Sequence, residues 1–512
     1  MLNEGIKGFK RMSRFFLIIM GLALATVSMT SCIKEEDYLV DSSARLGFSV
    51  DTVSFDTVFA TMATVTQAVK VYNNYDEPIL IDAVTLGHGT SSRFRINVDG
   101  DTGFVARNVE IGGHDSIFIF VQANINPNDQ TSPYIVTDSI VFDFNKKRQY
   151  LPLQAYGRNA VYHLPTYPRQ VYRLYVNSRG QIDTLWIPFS IIDCANWDHT
   201  RPHVIIGYAV VNSNETLHLN AGEELYFGAG ACLWVYDSAT LDVRGSQSAP
   251  VVFSSVRHDS YYDSLPGQWQ GIWLSSGSKD NYMEWACVEN AVVGIQADTN
   301  VNNNPTLDIR NCVVQNHSIV GILGQGAYIV GDNLLVSCCG QSVVDLRYGG
   351  RYQFHNSTLA NYWRYDSRKT PSLVLSNYYA YSTTMVFPRP MEADFRNCIV
   401  YGNYNGRDNS GEIMFDRIEN AGFDVTFRNC VLRTNLVADG SGGNIVGRDP
   451  KFSDAYKHDF VPLKDSPAAK AGDGSYITIP NDLNGTPRGN PPTIGAFEAK
   501  EQEGQKLNYF FR

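Results

Sequence analysis

Residues 307 to 315 read LDIRNCVVQ, and close copies return as DFRNCIVYG from Asp394 and VTFRNCVLR from Val425. A short strand with an Asn-Cys-aliphatic centre that recurs along a chain marks a fold that stacks one small unit many times. Weaker copies lie between them: Asn333 opens NLLVSCC and Asn356 opens NSTLAN. From Asn311 to Asn333 is 22 residues and from Asn333 to Asn356 is 23, one coil of a parallel β-helix per step. Equivalent positions in successive parallel strands lie about 4.8 Å apart. Cys312, Cys398 and Cys430 are therefore expected to stack inward, and their asparagine neighbours to form a side-chain ladder.

The 512 residues exceed one ordinary core, so two or three folding units are expected. With 42 Gly, 29 Tyr and 26 Phe, and no long apolar stripe of helical period after residue 30, the chain reads as all-β with little helix.

Lys7, Lys10, Arg11 and Arg14 precede the apolar run FFLIIMGLALATV, which is short for a membrane span and reads as an export signal. Met29, Thr30, Ser31 and Cys32 follow, and this stretch resembles a bacterial lipoprotein signal over 1–31, with Met29 where an aliphatic residue is usual. The resemblance implies Cys32 as the acylated first residue of the mature chain, at the head of a tether over 32–44. Lys34, Glu35, Glu36 and Asp37 then resemble the surface-export signal of some Gram-negative lipoproteins. That implies an outer-membrane lipoprotein on the outer face, with the periplasmic face as the alternative. At about 0.8 kcal/mol per buried methylene, two or three acyl chains make an essentially permanent anchor.

Formal charge is −10. The first 31 residues carry four basic side chains and Glu4, a net +3, which leaves the mature chain at −13 and argues against nucleic acid as a partner. Eight cysteines follow Cys32: 194, 232, 287, 312, 338, 339, 398 and 430. Most sit inside aliphatic strand patterns at coil spacing, so they read as buried small hydrophobes rather than disulfides. No CxxC pair or Cys/His spacing suggests zinc, and no cofactor is expected.

Three segments follow the tether. Residues 45–158 hold short alternating strands such as AVKVYNN, PILIDAVTL and SIFIFVQAN at sandwich spacing. VKVYNNYDEPILIDAVTL, SSRFRI and LQAYGRN resemble strands of Ig-like domains of the ASPM, SPD-2 and Hydin type, which implies a spacer or docking module. Residues 159–200 read as a connector and cap. Residues 201–447 read as a right-handed parallel β-helix, and TLHLNAGEELYFGAGACLWVYDSATLDVRGSQSAPVVFSS and GQWQGIWLSSGSKDNYMEWACVENAVVGIQ resemble the opening coils of exported pectate-lyase-like proteins. DSPAAKAG and DLNGTPRGNPPTIGAFE, within 448–512, resemble the closing segment of the same superfamily, with Lys470 in place of its usual acid.

That superfamily includes polysaccharide lyases and glycoside hydrolases. A lyase needs a base near a cation that acidifies the proton beside a uronate carboxylate. Arg364, Arg368 and Lys369 cluster in YWRYDSRKTPS with Asp366 beside them, but no acidic triplet nearby supplies oxygen ligands. A hydrolase needs carboxylates converging from neighbouring coils, and Asp308, Asp332 and Asp345 do not recur in one column by counting. No catalytic or metal-binding residue is assigned. Tyr362, Trp363 and Tyr365 with Arg364, Arg368 and Lys369 form the candidate binding surface, because aromatics flanked by arginine suit sugar stacking or a partner protein. Trp363 is expected to be exposed. Seven triplets of Asp, Ser or Thr, and then an aliphatic residue or Ala, at Asp51, Asp56, Asp115, Asp138, Asp183, Asp237 and Asp263, resemble a bacterial O-glycosylation signal. The sequence thus points to a lipid-anchored recognition protein for glycan or an envelope partner, with a lyase or hydrolase as the alternative.

Overall fold

The computed structural model describes residues 37–59, 66–124, 134–176, 182–257, 264–299, 303–382, 385–404 and 411–500. Cys32, Lys34, Glu35 and Glu36 lie outside the described residues, whereas Asp37 is exposed. The chain divides into two compact units.

The first unit takes in 37–54, 66–124 and 136–155. Its strands form two five-stranded sheets. Gln67–Tyr72 and Phe94–Val98 pair antiparallel with Ser116–Ala123 in one sheet, and Val105–Ile111 pairs antiparallel with Ile79–Leu86 in the other. Strict alternation sets the faces: Ile119, Val121 and Ala123 are buried, while Phe118 and Phe120, each one residue before a buried one, are exposed.

The second unit takes in 55–59, 134–135 and 156–500, and from 156 onward it is a parallel coil of three long sheets. Each turn visits them in a fixed order. Leu307–Arg310 lies in an eight-stranded sheet A, Val313–His317 in an eleven-stranded sheet B and Val320–Gln325 in a ten-stranded sheet C, after which Tyr328–Asp332 returns to sheet A. All three run in parallel register, as in Leu307–Arg310 on Tyr328–Asp332, Val313–His317 on Leu335–Cys339 and Ile322–Gln325 on Val344–Arg347. Inside the expected connector, Tyr167–Val176 and Ile182–Ile191 form an antiparallel hairpin at the start of sheet C, and Val161–His163 already pairs in parallel with His203–Ile205. Parallel pairing therefore begins at Val161, three strands before residue 201.

The corner between sheets A and B explains the sequence repeat. Asn311, Asn333, Asn356, Asn397 and Asn429 all have φ between 48° and 57°. Among non-glycine residues, asparagine adopts this left-handed conformation most readily. The reversal turns the next residue inward, and Cys312, Leu334, Ser357, Cys398 and Cys430 are fully buried there. Seven of the eight cysteines described are buried and all eight are free. Asn333 Nδ2 donates to Asn311 Oδ1 at 2.6 Å and Asn397 Nδ2 to Asn356 Oδ1 at 3.1 Å. Between them the ladder breaks: Arg488 Nη2 donates to Asn333 Oδ1 at 2.6 Å, and Asn356 Nδ2 turns to Asp332 Oδ1 at 3.1 Å.

The interrupting arginine belongs to the closing segment, which runs along this corner. Asn333, Asn356 and Asn397 donate to the carbonyls of Asn481, Tyr476 and Asp473. Phe460, Val461, Leu483 and Phe497 cover Val313, Leu335 and Ala360 on the outward side of sheet B. Asn356→Ala removes the donor to Tyr476 and the acceptor for Asn397 and puts a less tolerant residue at positive φ. The expected loss is about 1 to 3 kcal/mol, measured as a lower urea midpoint; an unchanged midpoint would show that the ladder carries no stability.

Candidate functional site

Three outward faces run along the coil, and one is covered from within the chain. Sheet B lies under the closing segment. Sheet A carries charges that pair within their own strands, Arg244 with Asp242 at 2.6 Å, Arg310 with Asp308 at 2.8 Å and Arg396 with Asp394 at 2.7 Å. Sheet C carries a different chemistry.

Its strands place Val210, Trp234, Trp273, Gln296, Leu323, Asp345, Val374 and Met414 in one outward column, by parallel register from strand to strand. Register alone stacks Trp234 on Trp273, with ring centroids 4.7 Å apart and planes 6° from parallel. Tyr208 and Tyr236 meet Trp234 edge-on at 6.3 and 5.3 Å. Immediately beyond, Asp298 gathers three donors: Trp273 Nε1 at 2.6 Å on one oxygen, and Gln296 Nε2 at 2.9 Å and Gln325 Nε2 at 3.0 Å on the other. Two strands further on, Arg347 grips both oxygens of Asp345, at 2.8 and 2.5 Å. Burial pushes the Asp345 carboxyl up, and Arg347 opposes that rise. Tyr378 donates to exposed Asp416 at 2.7 Å. Trp234 is 8% exposed, and its Nε1 finds no partner among the described residues.

This face mixes buried Trp234 and Asp345 with half-exposed Trp273, Gln296, Asp298 and Gln325 and exposed Tyr236 and Asp416. Aromatic bodies with polar edges next to fixed hydrogen-bonding groups suit a flat, hydroxyl-rich ligand. The strip was missed in sequence because its members look like ordinary strand residues. Aligning ACLWVYD with QGIWLSS by coil, rather than reading each strand alone, places the two tryptophans in one column.

The expected surface around Trp363 is corrected in part. Trp363 is 7% exposed, and its Nε1 donates to Asp366. Tyr362 packs against Phe452, Tyr456 and Phe460, and burial raises its hydroxyl pKa far above the usual value. The Arg368 side chain is buried in an ion pair with Glu412 at 2.6 Å. These three serve packing, because their polar and aromatic groups are spent inside the fold. Arg364, Tyr365 and Lys369 remain exposed; Tyr365 donates to the Ser264 carbonyl, and Arg364 lies 5.6 Å over the Tyr365 ring.

Asp308, Asp332 and Asp345 do not converge. Asp308 and Asp345 sit on sheets A and C, each held by an arginine. Asp332 lies at the asparagine corner under the closing segment, where it accepts from Asn356 and Thr478. Among the described residues no group of three His, Cys, Asp or Glu side chains is placed to hold a metal ion, and no helix is long and apolar enough to cross a membrane. Of the Asp-Ser/Thr triplets, Asp51, Asp115 and Asp237 are exposed, whereas the Asp138 carboxylate is buried against Ser92. The side chains of Asp56 and Asp183, and the whole of Asp263, lie outside the described residues.

Burial raises the Asp332 pKa from 3.8 to about 6, against the opposing pull of Asn356, Arg488 and Arg310. A folded value above the unfolded one means that the favourable contribution is complete below pH 3.8 and lost as pH rises through 6. At about 1.4 kcal/mol per pH unit, that window corresponds to about 3 kcal/mol. Asp332→Asn is expected to flatten the stability of the coil between pH 4 and 6 and to raise it at pH 7. Parallel pH profiles of wild type and variant, from urea unfolding, contradict this assignment.

No protein-family profile and no curated protein matches this sequence. Slight overlaps occur with solved structures. A family 123 glycoside hydrolase from Clostridium perfringens, described for glycolipid glycan hydrolysis, shares 13% identity over 24% of this chain and 29% of its own, with a TM-score of 0.18. The chain thus spans under a third of that protein. The catalytic domain of a GH87 alpha-1,3-glucanase in complex with nigerose shares 10% over 72% and 82%, with a TM-score of 0.19. The catalytic unit of a thermostable GH87 alpha-1,3-glucanase from Streptomyces thermodiastaticus shares 8% over 74% and 87%, with a TM-score of 0.21. The parallel coil stands on its own strand register.

Proposed function

We propose that this chain is a lipid-anchored protein of the outer membrane, displayed on the outer face, whose coil recognises glycan without cleaving it. The outward strip of sheet C carries the reading: stacked Trp234 and Trp273 lie beside a carboxylate that orients two amides. Rigid rungs hold these groups in place before a ligand arrives, which reduces the ordering that binding requires. Cleavage asks for a free acid and base flanking one bond. Here both oxygens of Asp345 are held by Arg347 and those of Asp298 by three donors, an arrangement suited to positioning rather than proton transfer. In this proposal Cys32 bears the lipid, Lys34, Glu35, Glu36 and Asp37 direct export, and the first unit is an Ig-like spacer.

Two experiments address the two halves. Cys32→Ala is expected to move the protein out of the membrane fraction or to leave it unprocessed; unchanged fractionation with the signal removed refutes the anchor. Gln325→Ala, which removes one amide from the strip, is expected to weaken retention of the purified protein on polysaccharide gels, while Tyr456→Ala, an exposed residue on the closing segment, leaves retention intact. Equal retention by all three proteins removes the strip from the reading.

A further inference from the structure

The charge of the strip narrows what it can hold. The six strands from Gly271–Leu274 to Ile413–Asp416 carry three charged side chains, Asp345, Arg347 and Asp416, and two more stand just past strand ends, Asp298 after the second and exposed Arg417 after the sixth. Three are carboxylates. Within the strands the one guanidinium, Arg347, makes two hydrogen bonds to Asp345, the geometry that a uronate or sulfate on a ligand would otherwise take, and Arg417 lies 5.6 Å over the Phe423 ring. An acidic polymer on this face therefore meets Asp298 and Asp416 with no uncommitted cation from the strands beneath it. Like charges brought together at a binding face are strongly unfavourable and act against the wrong partner.

The remaining inventory suits an uncharged ligand. Asp298 uses its two oxygens to fix one indole and two amides, so the Gln296 and Gln325 carbonyl oxygens are oriented as acceptors for hydroxyl groups. Equivalent positions repeat about every 4.8 Å along the stack, so an extended chain of similar units can meet successive rungs in turn.

Building on the glycan-recognition reading above, we infer that the strip selects neutral glycan chains and rejects uronate-bearing ones, with Asp298 and Asp416 as the specificity-determining residues. The test is native affinity electrophoresis of the full-length protein in detergent, through gels containing dextran, barley β-glucan or mannan, and through gels containing polygalacturonate, alginate or hyaluronan. Retardation by at least one neutral polymer, with every acidic polymer at least about tenfold weaker, is the expected result, since like-charge contact at an interface readily exceeds the 1.4 kcal/mol that a tenfold change requires. Asp416→Asn, at an exposed position, is expected to narrow the gap by strengthening acidic retardation, and Asp298→Asn to narrow it further; circular dichroism confirms that each variant is folded. Acidic polymers that bind as well as neutral ones, or a gap unchanged in the folded Asp416→Asn protein, overturn the selectivity while leaving glycan recognition in place. No retardation by any of the six polymers overturns both.

Discussion

Replacing Glu412 by alanine is expected to destabilise the coil by about 3 to 5 kcal/mol, because it strands a buried guanidinium. The Glu412 side chain is fully buried and that of Arg368 is 2% exposed. Glu412 Oε1 accepts from Arg368 at 2.6 Å and from the Tyr404 backbone at 2.7 Å, and Oε2 from the Ser372 backbone and hydroxyl at 2.9 and 2.7 Å. Both residues sit in connections from sheet B to sheet C, Arg368 in one coil and Glu412 in the next, so the pair pins two irregular loops together. Gly402 leaves the space, since a Cβ there would stand 2.6 Å from Glu412 Oε1 and 3.0 Å from Arg368 Nη2. Replacing both partners with apolar residues of similar size should recover only part of the loss, because it removes two desolvated charges but leaves the Ser372 and Tyr404 backbone N–H groups without their acceptor. Urea unfolding of the single and double variants checks this; a single variant within about 0.5 kcal/mol of wild type, as for an ordinary surface change, refutes the strut.

That ion pair also shows where sequence reading stops. The Asn-Cys repeat was legible because it is local: a left-handed asparagine followed by an inward residue is a property of two neighbours, repeated coil after coil. Arg368 and Glu412 are 44 residues apart, and nothing in YWRYDSRKTPS reveals a carboxylate arriving from the next coil. A run of aromatics and arginines in an insertion has the same composition whether it faces solvent or packs inward. The sheet C strip failed to show for the opposite reason. Trp234 and Trp273 lie inside regular strands, and their meaning depends on register, which fixes the column they share. Asp298 lies just after its strand and reads as a turn residue until Trp273, Gln296 and Gln325 are placed around it.

Trp363→Ala is expected to cost about 3 to 5 kcal/mol, the range for removing a large packed aromatic. The indole is 7% exposed, its ring centroid is 4.8 Å from that of Tyr365, and its backbone carbonyl accepts from Asn403 Nδ2 at 3.1 Å. Gly340 makes room for it: a Cβ at that position would stand 3.3 Å from Trp363 Cζ2 and 2.2 Å from the Ser318 carbonyl oxygen. The substitution leaves a cavity under the loop and releases Asp366 from the indole N–H, so both packing and a hydrogen bond are lost. Trp363→Phe, which keeps most of the ring, should lose less. A thermal melt separates the two roles this residue could have: a clear drop in midpoint places Trp363 in the packing of the loop. An unchanged midpoint with weakened polysaccharide retention would move the recognition surface from sheet C to this insertion, with exposed Arg364, Tyr365 and Lys369 as its other members.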